Sequence, residues 1–350
     1  MIISHDLGQL NEDSLHKTSA METKLGFTKM SVSEFETWLN SLRIARTVLK
    51  IQLHHTYRPD YSNFTGSNHF ERQQAMKNHH MLNNGWSDIG QHFTIFPDGS
   101  LMTGRSLENI PACIYGQNSN SVCIENLGNF DHGGDIMTQA QKDAIVMVTS
   151  MLLRKFNLPP NSNTILYHHW FDLSTGQRNH SNRNKKSCPG SNFFGGNKEQ
   201  DFETNFLPLI VSSLTGSVIK ENTAAVVRFA CVTATTLNIR IQPDSSASKA
   251  PDRDPVTFGT ILRIYDEQNG WLKISNSQPH WVSGRFTTPV TRATVTAGSL
   301  NIRTGPGTEF FKAGNYTQGE IVFIFEEKNG WARVSLSDRW VSSRYLDTEN

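Results

Sequence analysis

A pattern that recurs in the last third of the chain limits the possible folds more than any other sequence feature. Three blocks return in the same order: LNIR from residues 237 and 300, NGW from residues 269 and 329, and WVS from residues 281 and 340. Their offsets are 63, 60 and 59 residues, by subtraction of those positions. Repeats at a fixed period are the signature of a duplicated structural unit. The chain is therefore expected to end in two copies of one domain of about 60 residues.

Each copy has the composition of a small all-β domain. Short β-branched and aromatic runs, such as TILRIY at 260–265 and IVFIF at 321–325, alternate with Asn-Gly or Gly-Pro turns. This arrangement is typical of consecutive hairpins. The LNIR, NGW and W-V motifs resemble those of bacterial SH3 domains, small barrels that commonly bind peptidoglycan, and the resemblance spans roughly residues 227 to 348. Trp271 and Trp331 can either fix a hairpin in the core or stack on a ligand.

An N-terminal extension and a linker are predicted on either side of the larger domain. Residues 215–226 lack a strong periodicity and lie between patterned regions, so they are predicted to be a linker. The expected organisation is an N-terminal extension at 1–30, a larger domain at 31–214, and SH3-like domains at 227–289 and 290–350.

The larger domain is predicted to be α/β, with a mixed central sheet flanked by helices. Ser31 with Glu34 and Thr138 with Gln141 have the spacing of capping boxes that open helices. Residues 48–53, 121–125 and 164–167 have the β-branched or alternating pattern of strands.

Charge and hydropathy exclude two classes of partner. The chain has 33 Lys plus Arg against 32 Asp plus Glu, a formal charge of +1. It therefore lacks the excess of positive charge that is typical of proteins that bind nucleic acid. No apolar run reaches the roughly 20 residues needed to cross a bilayer. The first residues, MIISHDLGQL, lack the order of a signal peptide, so we expect release from the cytoplasm or export by a non-classical route.

Four cysteines are too few and too scattered to indicate a disulfide framework. Cys113, Cys123 and Cys231 are therefore expected to be buried reduced thiols. Cys188 is different, because it follows residues that favour a metal site.

Two histidine pairs come at the ends of two predicted strands. His54-His55 follows the strand at 48–53, His168-His169 follows the strand at 164–167, and Cys188 lies in a later loop. Two imidazoles and one thiolate satisfy the three protein ligands that a catalytic zinc site uses. These residues are far apart in sequence, so the spacing alone leaves open whether they bind metal or are structural.

Five blocks in order carry a family resemblance: HHT at 54–56, WSDIGQHFTIFPDG at 86–99, GR at 104–105, IENLG at 124–128 and KSCP at 186–189. With the strand-borne His168, they resemble the zinc N-acetylmuramoyl-L-alanine amidases, a family that includes phage lysozymes of the amidase type and peptidoglycan recognition proteins. The resemblance covers roughly residues 45 to 200. It implies cleavage of the amide between the lactyl group of N-acetylmuramic acid and L-alanine by zinc-activated water.

The resemblance also implies roles for individual residues. His54, His168 and Cys188 would hold Zn²⁺, and Lys186 would stabilise the oxyanion of the transition state. Because neighbours on a strand point to opposite faces, His55 and His169 are expected to pack behind the ligands.

The sequence departs from the family pattern at Gln91, where members usually carry Tyr or Glu. Glutamine cannot accept a proton as a base, although it can hold water or the substrate carbonyl. Glu125 is the other candidate for that proton, or it is a structural residue of the sheet. A second departure is the long loop at 170–187, which is rich in Gly, Asn and Arg and is a candidate contact for glycan or stem peptide.

Two other functions stay open at this stage. One is a peptidoglycan-binding protein without catalysis, and the other is a zinc peptidase that cuts within the stem peptide. The expected partner is peptidoglycan, and the expected oligomeric state is a monomer. A host autolysin, a phage endolysin and a weapon against neighbouring cells are all compatible with the sequence.

Overall fold

The computed structural model describes residues 21–179, 183–215 and 226–348. Most of the extension predicted at 1–30 and nearly all of the linker predicted at 215–226 lie outside the described residues. Within those ranges, no helix has the length and hydropathy needed to cross a membrane.

A seven-stranded mixed sheet forms the centre of the N-terminal domain, in the order β1-β2-β5-β4-β6-β3-β7. The strands are β1 (Glu22–Lys24), β2 (Phe27–Met30), β3 (Lys50–His55), β4 (Phe93–Ile95), β5 (Leu101–Thr103), β6 (Ser121–Asn126) and β7 (Ile165–Tyr167). β3 runs parallel to β6 and β7, and β4 runs parallel to β6, whereas the pairs involving β1, β2 and β5 are antiparallel. The predicted α/β fold with a mixed central sheet is confirmed.

Helices cover the sheet, and two of them begin where the capping residues predict. The helices are α1 (Val32–Ser41), α2 (His69–Leu82), α3 (Gln139–Phe156), α4 (Glu199–Asp201) and α5 (Leu207–Thr215), with a π-helical segment at Phe202–Phe206. Ser31 and Glu34 form a reciprocal capping box at α1. At α3 only half of that box forms. Thr138 accepts from the backbone N–H of Gln141, but the Gln141 side chain donates to the carbonyls of Ile95 and Leu127.

The N-terminal domain begins before the boundary predicted at residue 31. β1 and β2 form a hairpin, and β2 pairs with β5 through Lys29–Met102 and Met30–Leu101. Phe27 and Met30 are buried, so residues 22–30 contribute to the domain's sheet and core.

The C-terminal region contains two β-rich copies with the same local pairing. Its strands are β8 (Arg228–Val232), β9 (Thr236–Leu237), β10 (Val256–Thr257), β11 (Ile261–Ile264), β12 (Asp266–Gln268), β13 (Trp271–Lys273), β14 (Trp281–Ser283), β15 (Thr287–Val295), β16 (Ser299–Arg303), β17 (Lys312–Thr317), β18 (Ile321–Ile324), β19 (Glu326–Lys328), β20 (Trp331–Arg333), β21 (Trp340–Ser342) and β22 (Leu346–Thr348). Trp271 pairs with Ser283 in the first copy as Trp331 pairs with Ser342 in the second. Both tryptophans are half-buried.

One continuous strand joins the two copies. β15 pairs with β8 of the first copy through residues 287–290, and with β18 and β22 of the second copy through residues 291–295. The boundary predicted between residues 289 and 290 falls inside this strand. The copies are therefore joined by a shared strand.

The segment before β3 ties the N-terminal domain to the first copy. Arg46 forms a β-bridge with Leu262, and the N–H of Thr47 donates to the carbonyl of Ile261 at 2.7 Å. Ala45 is buried in the same apolar cluster as the core of the first copy. The contact is a short isolated bridge between residue 46 and β11, stabilised by burial of the adjoining side chain.

Candidate metal centre and catalytic cleft

Parallel strands bring the predicted site residues to one edge of the sheet. His54 lies opposite Glu125 in the parallel pair of β3 and β6. His168 follows β7 directly, and β7 pairs with β3 through Leu53–Tyr167. Paired residues of neighbouring strands point to the same face of the sheet, so His54 shares a face with Glu125. Since Leu53 pairs with Tyr167, the residues that follow them, His54 and His168, also share that face. The register thus explains why the first histidine of each pair meets the other.

The structure brings His54, His168 and Cys188 together. Their ligand atoms all lie within 4.8 Å of one another, and His54 Nδ1 lies 3.4 Å from Cys188 Sγ. All three side chains are buried at the base of a cleft. With zinc–nitrogen and zinc–sulfur bonds of about 2.0 and 2.3 Å, donors in a tetrahedral site are separated by roughly 3.5 Å, so this group has the right size for one ion.

Electrostatics at these residues also fits a divalent cation. Burial lowers the pKa of His54 well below its usual value and, with Lys186 nearby, lowers that of His168 to about 3. Both imidazoles are therefore neutral, the form that ligates metal. Burial, together with the charge of Glu125, raises the pKa of the Cys188 thiol. Deprotonation of this thiol is therefore unfavourable, and a bound cation would offset that cost. His54 Nε2 is buried without a hydrogen-bond partner among the described residues.

The second histidine of each pair supports the first. His55 Nδ1 accepts a hydrogen bond from the Phe130 N–H at 3.1 Å, and its own backbone N–H donates to Cys188 Sγ at 3.4 Å. The backbone N–H of His169 donates to the Cys188 carbonyl at 2.7 Å, and its Nδ1 lies 2.6 Å from the Lys186 carbonyl. These contacts hold the loop that carries Cys188 against the strand ends.

Glu125, Lys186 and Gln91 line the same cleft as the three candidate ligands. Burial raises the pKa of Glu125 to about 8, and the neighbouring Lys186 opposes that rise. Lys186 is exposed on the loop side of the cleft. Gln91 is buried, and its Nε2 donates to Thr94 Oγ1 at 3.1 Å, which leaves its Oε1 without a partner in the described chain.

Sequence reasoning missed the wall of the cleft that α2 supplies. The cavity has a volume of about 900 Å³, and its lining from this helix includes Arg72, Met76, His79 and His80. Their spacing at i, i+4, i+7 and i+8 places them on one helix face. That polar stripe is a signal in the sequence, but nothing in the sequence alone shows that it faces the histidines rather than solvent.

The expectation of three reduced thiols is wrong for two of them. Cys113, in the loop between β5 and β6, forms a disulfide with Cys123 of β6. The two are ten residues apart and only the folded loop brings them together. Cys231 is a free buried thiol in the first C-terminal copy.

Comparison with known proteins decides the family of the cleft-bearing domain. Residues 45–191 match the family model described as N-acetylmuramoyl-L-alanine amidase. The chain carries a domain of that amidase family. Residues 298–347 match the bacterial SH3 domain.

Individual proteins also resemble parts of this chain. The putative N-acetylmuramoyl-L-alanine amidase YrvJ of Bacillus subtilis is 28% identical over 113 residues, which cover 26% of this chain and 22% of that protein. Peptidoglycan-recognition protein SC2 of Drosophila melanogaster is 29% identical over 172 residues, which cover 49% of this chain and 84% of that protein. Among solved structures, the amidase LysC from Clostridium intestinale has 25% identity and a TM-score of 0.31, over 42% of this chain and 80% of that one. The chain therefore spans only about a fifth of the length of its Bacillus relative.

Proposed function

We propose that this chain is a zinc-dependent N-acetylmuramoyl-L-alanine amidase whose C-terminal SH3-like copies bind the cell wall. The observation that carries the proposal is the convergence of His54, His168 and Cys188 at the base of an open cleft, within a domain of that family. Two imidazoles and one thiolate leave a fourth position for water, which is the arrangement of catalytic rather than structural zinc.

The hydrolysis requires an activated water and a group that transfers its proton, and the cleft supplies both. Bound zinc would supply Lewis acidity, which activates water and polarises the scissile carbonyl. A carboxylate oxygen of Glu125 takes the proton from the attacking water and passes it to the leaving amide nitrogen. A carboxyl group whose pKa lies near neutrality is suited to both transfers.

Lys186 and Gln91 act on the substrate. The Lys186 ammonium lies close enough to affect the pKa values of Glu125 and His168, and from there it stabilises the oxyanion that forms at the carbonyl. The free Oε1 of Gln91 accepts a hydrogen bond from a substrate N–H or from water, which positions the group without any proton transfer.

Two observations support catalysis over binding alone. Cys188 is present, and it accepts hydrogen bonds from the backbone N–H of His55 at its Sγ and from that of His169 at its carbonyl, so the third donor is held in place. A peptidoglycan-recognition function without catalysis would have no need of a thiol at the base of the cleft.

Digestion of purified cell wall tests this proposal. The wild type should release new L-alanine amino termini and glycan with intact lactyl carboxylates, whereas Cys188→Ser and chelator-treated protein should release neither. Cys231→Ser is the matched control, because it removes a buried thiol from the first C-terminal copy and should leave cleavage unchanged.

Each other outcome contradicts a defined part of the proposal. Cleavage that survives both Cys188→Ser and chelation would exclude zinc catalysis. New amino termini within the stem peptide would identify a peptidase, and wall binding without any cleavage would identify a recognition protein.

A further inference from the structure

The disulfide lies beside the candidate metal ligands. Cys123 is buried on β6, two residues before Glu125, and Gln52 pairs with it as His54 pairs with Glu125. Side chains two residues apart on a strand share a face, so Cys123, Glu125 and His54 lie on the same side of the sheet. Cys113 is half-buried and lines the cleft itself.

His54 belongs to two groups of metal donors. Its ligand atoms lie within 4.8 Å of those of His168 and Cys188, and also within 4.8 Å of the sulfurs of Cys113 and Cys123. Sulfurs joined in a disulfide cannot ligate zinc, because the ligand is the thiolate. The second group therefore becomes a donor set only when the disulfide is reduced.

We propose that the Cys113–Cys123 disulfide is a redox switch that decides which of two overlapping sites holds the metal. In the oxidised protein, His54 serves the site with His168 and Cys188. In the reduced protein, the thiolates of Cys113 and Cys123 bind the ion together with His54 and withdraw it from the catalytic position. The effect on activity rests on the amidase function proposed above, whereas the effect on metal binding does not.

The two sites exclude each other for a chemical reason. Ligation of separate cations by both nitrogens of His54 would require an imidazolate anion within a buried cluster. A set with two thiolates and one imidazole binds zinc through softer donors than a set with one thiolate, which favours the second site once both thiols are free.

The backbone keeps the two sulfurs close after the bond is broken. The N–H of Cys113 donates to Asn118 Oδ1 at 2.9 Å, and the N–H of the next residue, Ile114, donates to Gln52 Oε1 at 3.1 Å. The N–H of Cys123 donates to His92 Nδ1 at 3.0 Å within the sheet. Reduction therefore frees the side chains without releasing the loop.

The electron balance needs a dithiol as co-reactant. A thiolate of the dithiol attacks Cys113 Sγ from the cleft, the S–S bond breaks, and the dithiol leaves as a cyclic disulfide after giving two electrons and two protons to the pair. Metal binding then releases the thiol protons. A reducing compartment would hold the enzyme inactive, and an oxidising exterior would restore it.

Cobalt(II) substitution tests the switch directly, since thiolate ligands give cobalt charge-transfer absorption that grows with their number. The oxidised full-length protein should show one thiolate ligand, and protein reduced with dithiothreitol and freed of it anaerobically should show two. In Cys188→Ser, the oxidised form should show none and the reduced form should still show two. Absence of thiolate bands in reduced Cys188→Ser would overturn the proposal.

Activity on cell wall provides the second readout. Wild-type cleavage should be lost on reduction and restored on reoxidation, whereas Cys113→Ser/Cys123→Ser should cleave under both conditions. Cys231→Ala should respond as the wild type does. Equal wild-type activity in both states would show that the disulfide is only structural. If the cobalt spectra change as expected but the oxidised protein cleaves nothing, the switch stands and the amidase proposal fails.

Discussion

Among single residues, Glu125 combines burial with a position in the cleft. Its strand pairs directly with the strand that carries His54, and burial raises the pKa of Glu125 to about 8 against the opposing charge of Lys186. Perturbed carboxyl groups in clefts are common at sites of proton transfer. The alternative role, a structural residue of the sheet, would require hydrogen bonds that fix its carboxylate.

Replacement of Glu125 by Gln separates these roles. If Glu125 carries the proton, Glu125→Gln should lower kcat by about 100-fold to 10,000-fold while zinc content and thermal stability stay near wild type. The measurement is kcat on a soluble muropeptide, with zinc content determined in parallel. Glu309→Gln, an exposed position in the second C-terminal copy, is the control. A kcat within threefold of wild type, about 0.7 kcal/mol, would remove Glu125 from the mechanism.

The sequence predicted some residues of the candidate site but not others, for a different physical reason in each case. The local pattern placed His54 and His168 at the ends of strands, as the structure has them near the end of β3 and directly after β7. Their meeting depends on the parallel pairing of those strands, which local pattern does not show. Cys188 lies in a loop, where its residue type made it a candidate ligand but only the family resemblance selected it. The disulfide was missed because neither Cys113 nor Cys123 carries a local signal. Their contact depends on how the loop between β5 and β6 folds back.

Among elements, α2 depends on a contact at the turn between β4 and β5. His69 Nε2, in the first turn of the helix, lies 2.8 Å from Asp98 Oδ2, and the other oxygen of Asp98 accepts from the Ser100 N–H at 3.0 Å. Partial burial of Asp98 would raise its pKa, but the hydrogen bonds from His69 and Ser100 prevail and lower it to about 2. The contact fixes the helix that lines the cleft.

Asp98→Asn should therefore change the acid stability of the protein. A carboxyl group with a depressed folded-state pKa stabilises the fold above its unfolded value near 4, and this stability is lost as the pH falls toward 2. Because the Asp98 side chain is 38% exposed, we expect a loss of only about 1 kcal/mol in the free energy of unfolding at pH 6. Denaturant unfolding at pH 6 and pH 3 measures this. The exposed Asp338→Asn is the control, and a difference that grows toward acid would contradict the assignment.

The C-terminal copies show how an element can escape prediction. The repeated blocks predicted two copies correctly in number and order, because each block marks the same hairpin. The sequence TTPVTRATV of β15 reads equally well as the end of one copy and the start of the next. Only long-range pairing reveals that both copies use it.

In the whole molecule, the amidase domain and the first C-terminal copy share a buried ion pair. Arg253 Nη2 lies 2.5 Å from Glu108 Oε1, and both side chains are almost fully buried. The contact is an ion pair whose geometry does not meet the alignment of a hydrogen bond. The same carboxylate accepts from the backbone N–H groups of Ala45 and Arg46, which lie in the segment that joins the domains. The domains are therefore coupled and should not unfold independently.

Arg253→Met tests that coupling. Removal of Arg253 leaves Glu108 buried without its ion-pair partner, so the variant should lose about 2 to 3 kcal/mol of stability. The loss is smaller than for a fully isolated charge, because the Arg46 guanidinium and the backbone N–H groups of residues 45 and 46 still stabilise the carboxylate. The measurement is chemical unfolding followed by probes in each domain. Glu108→Gln/Arg253→Met should recover part of the loss. Unchanged stability in the single variant, or separate transitions already in the wild type, would contradict the coupled arrangement.

The metal coordination of the oxidised protein tests the central claim most directly. X-ray absorption at the zinc edge should show one sulfur at about 2.3 Å and two imidazole nitrogens at about 2.0 Å, completed by one light atom, for a single ion per chain. The spectrum of Cys188→Ser should lack the sulfur contribution. A wild-type spectrum with two or more sulfurs, one without imidazole, or a purified protein that retains no zinc would contradict the account.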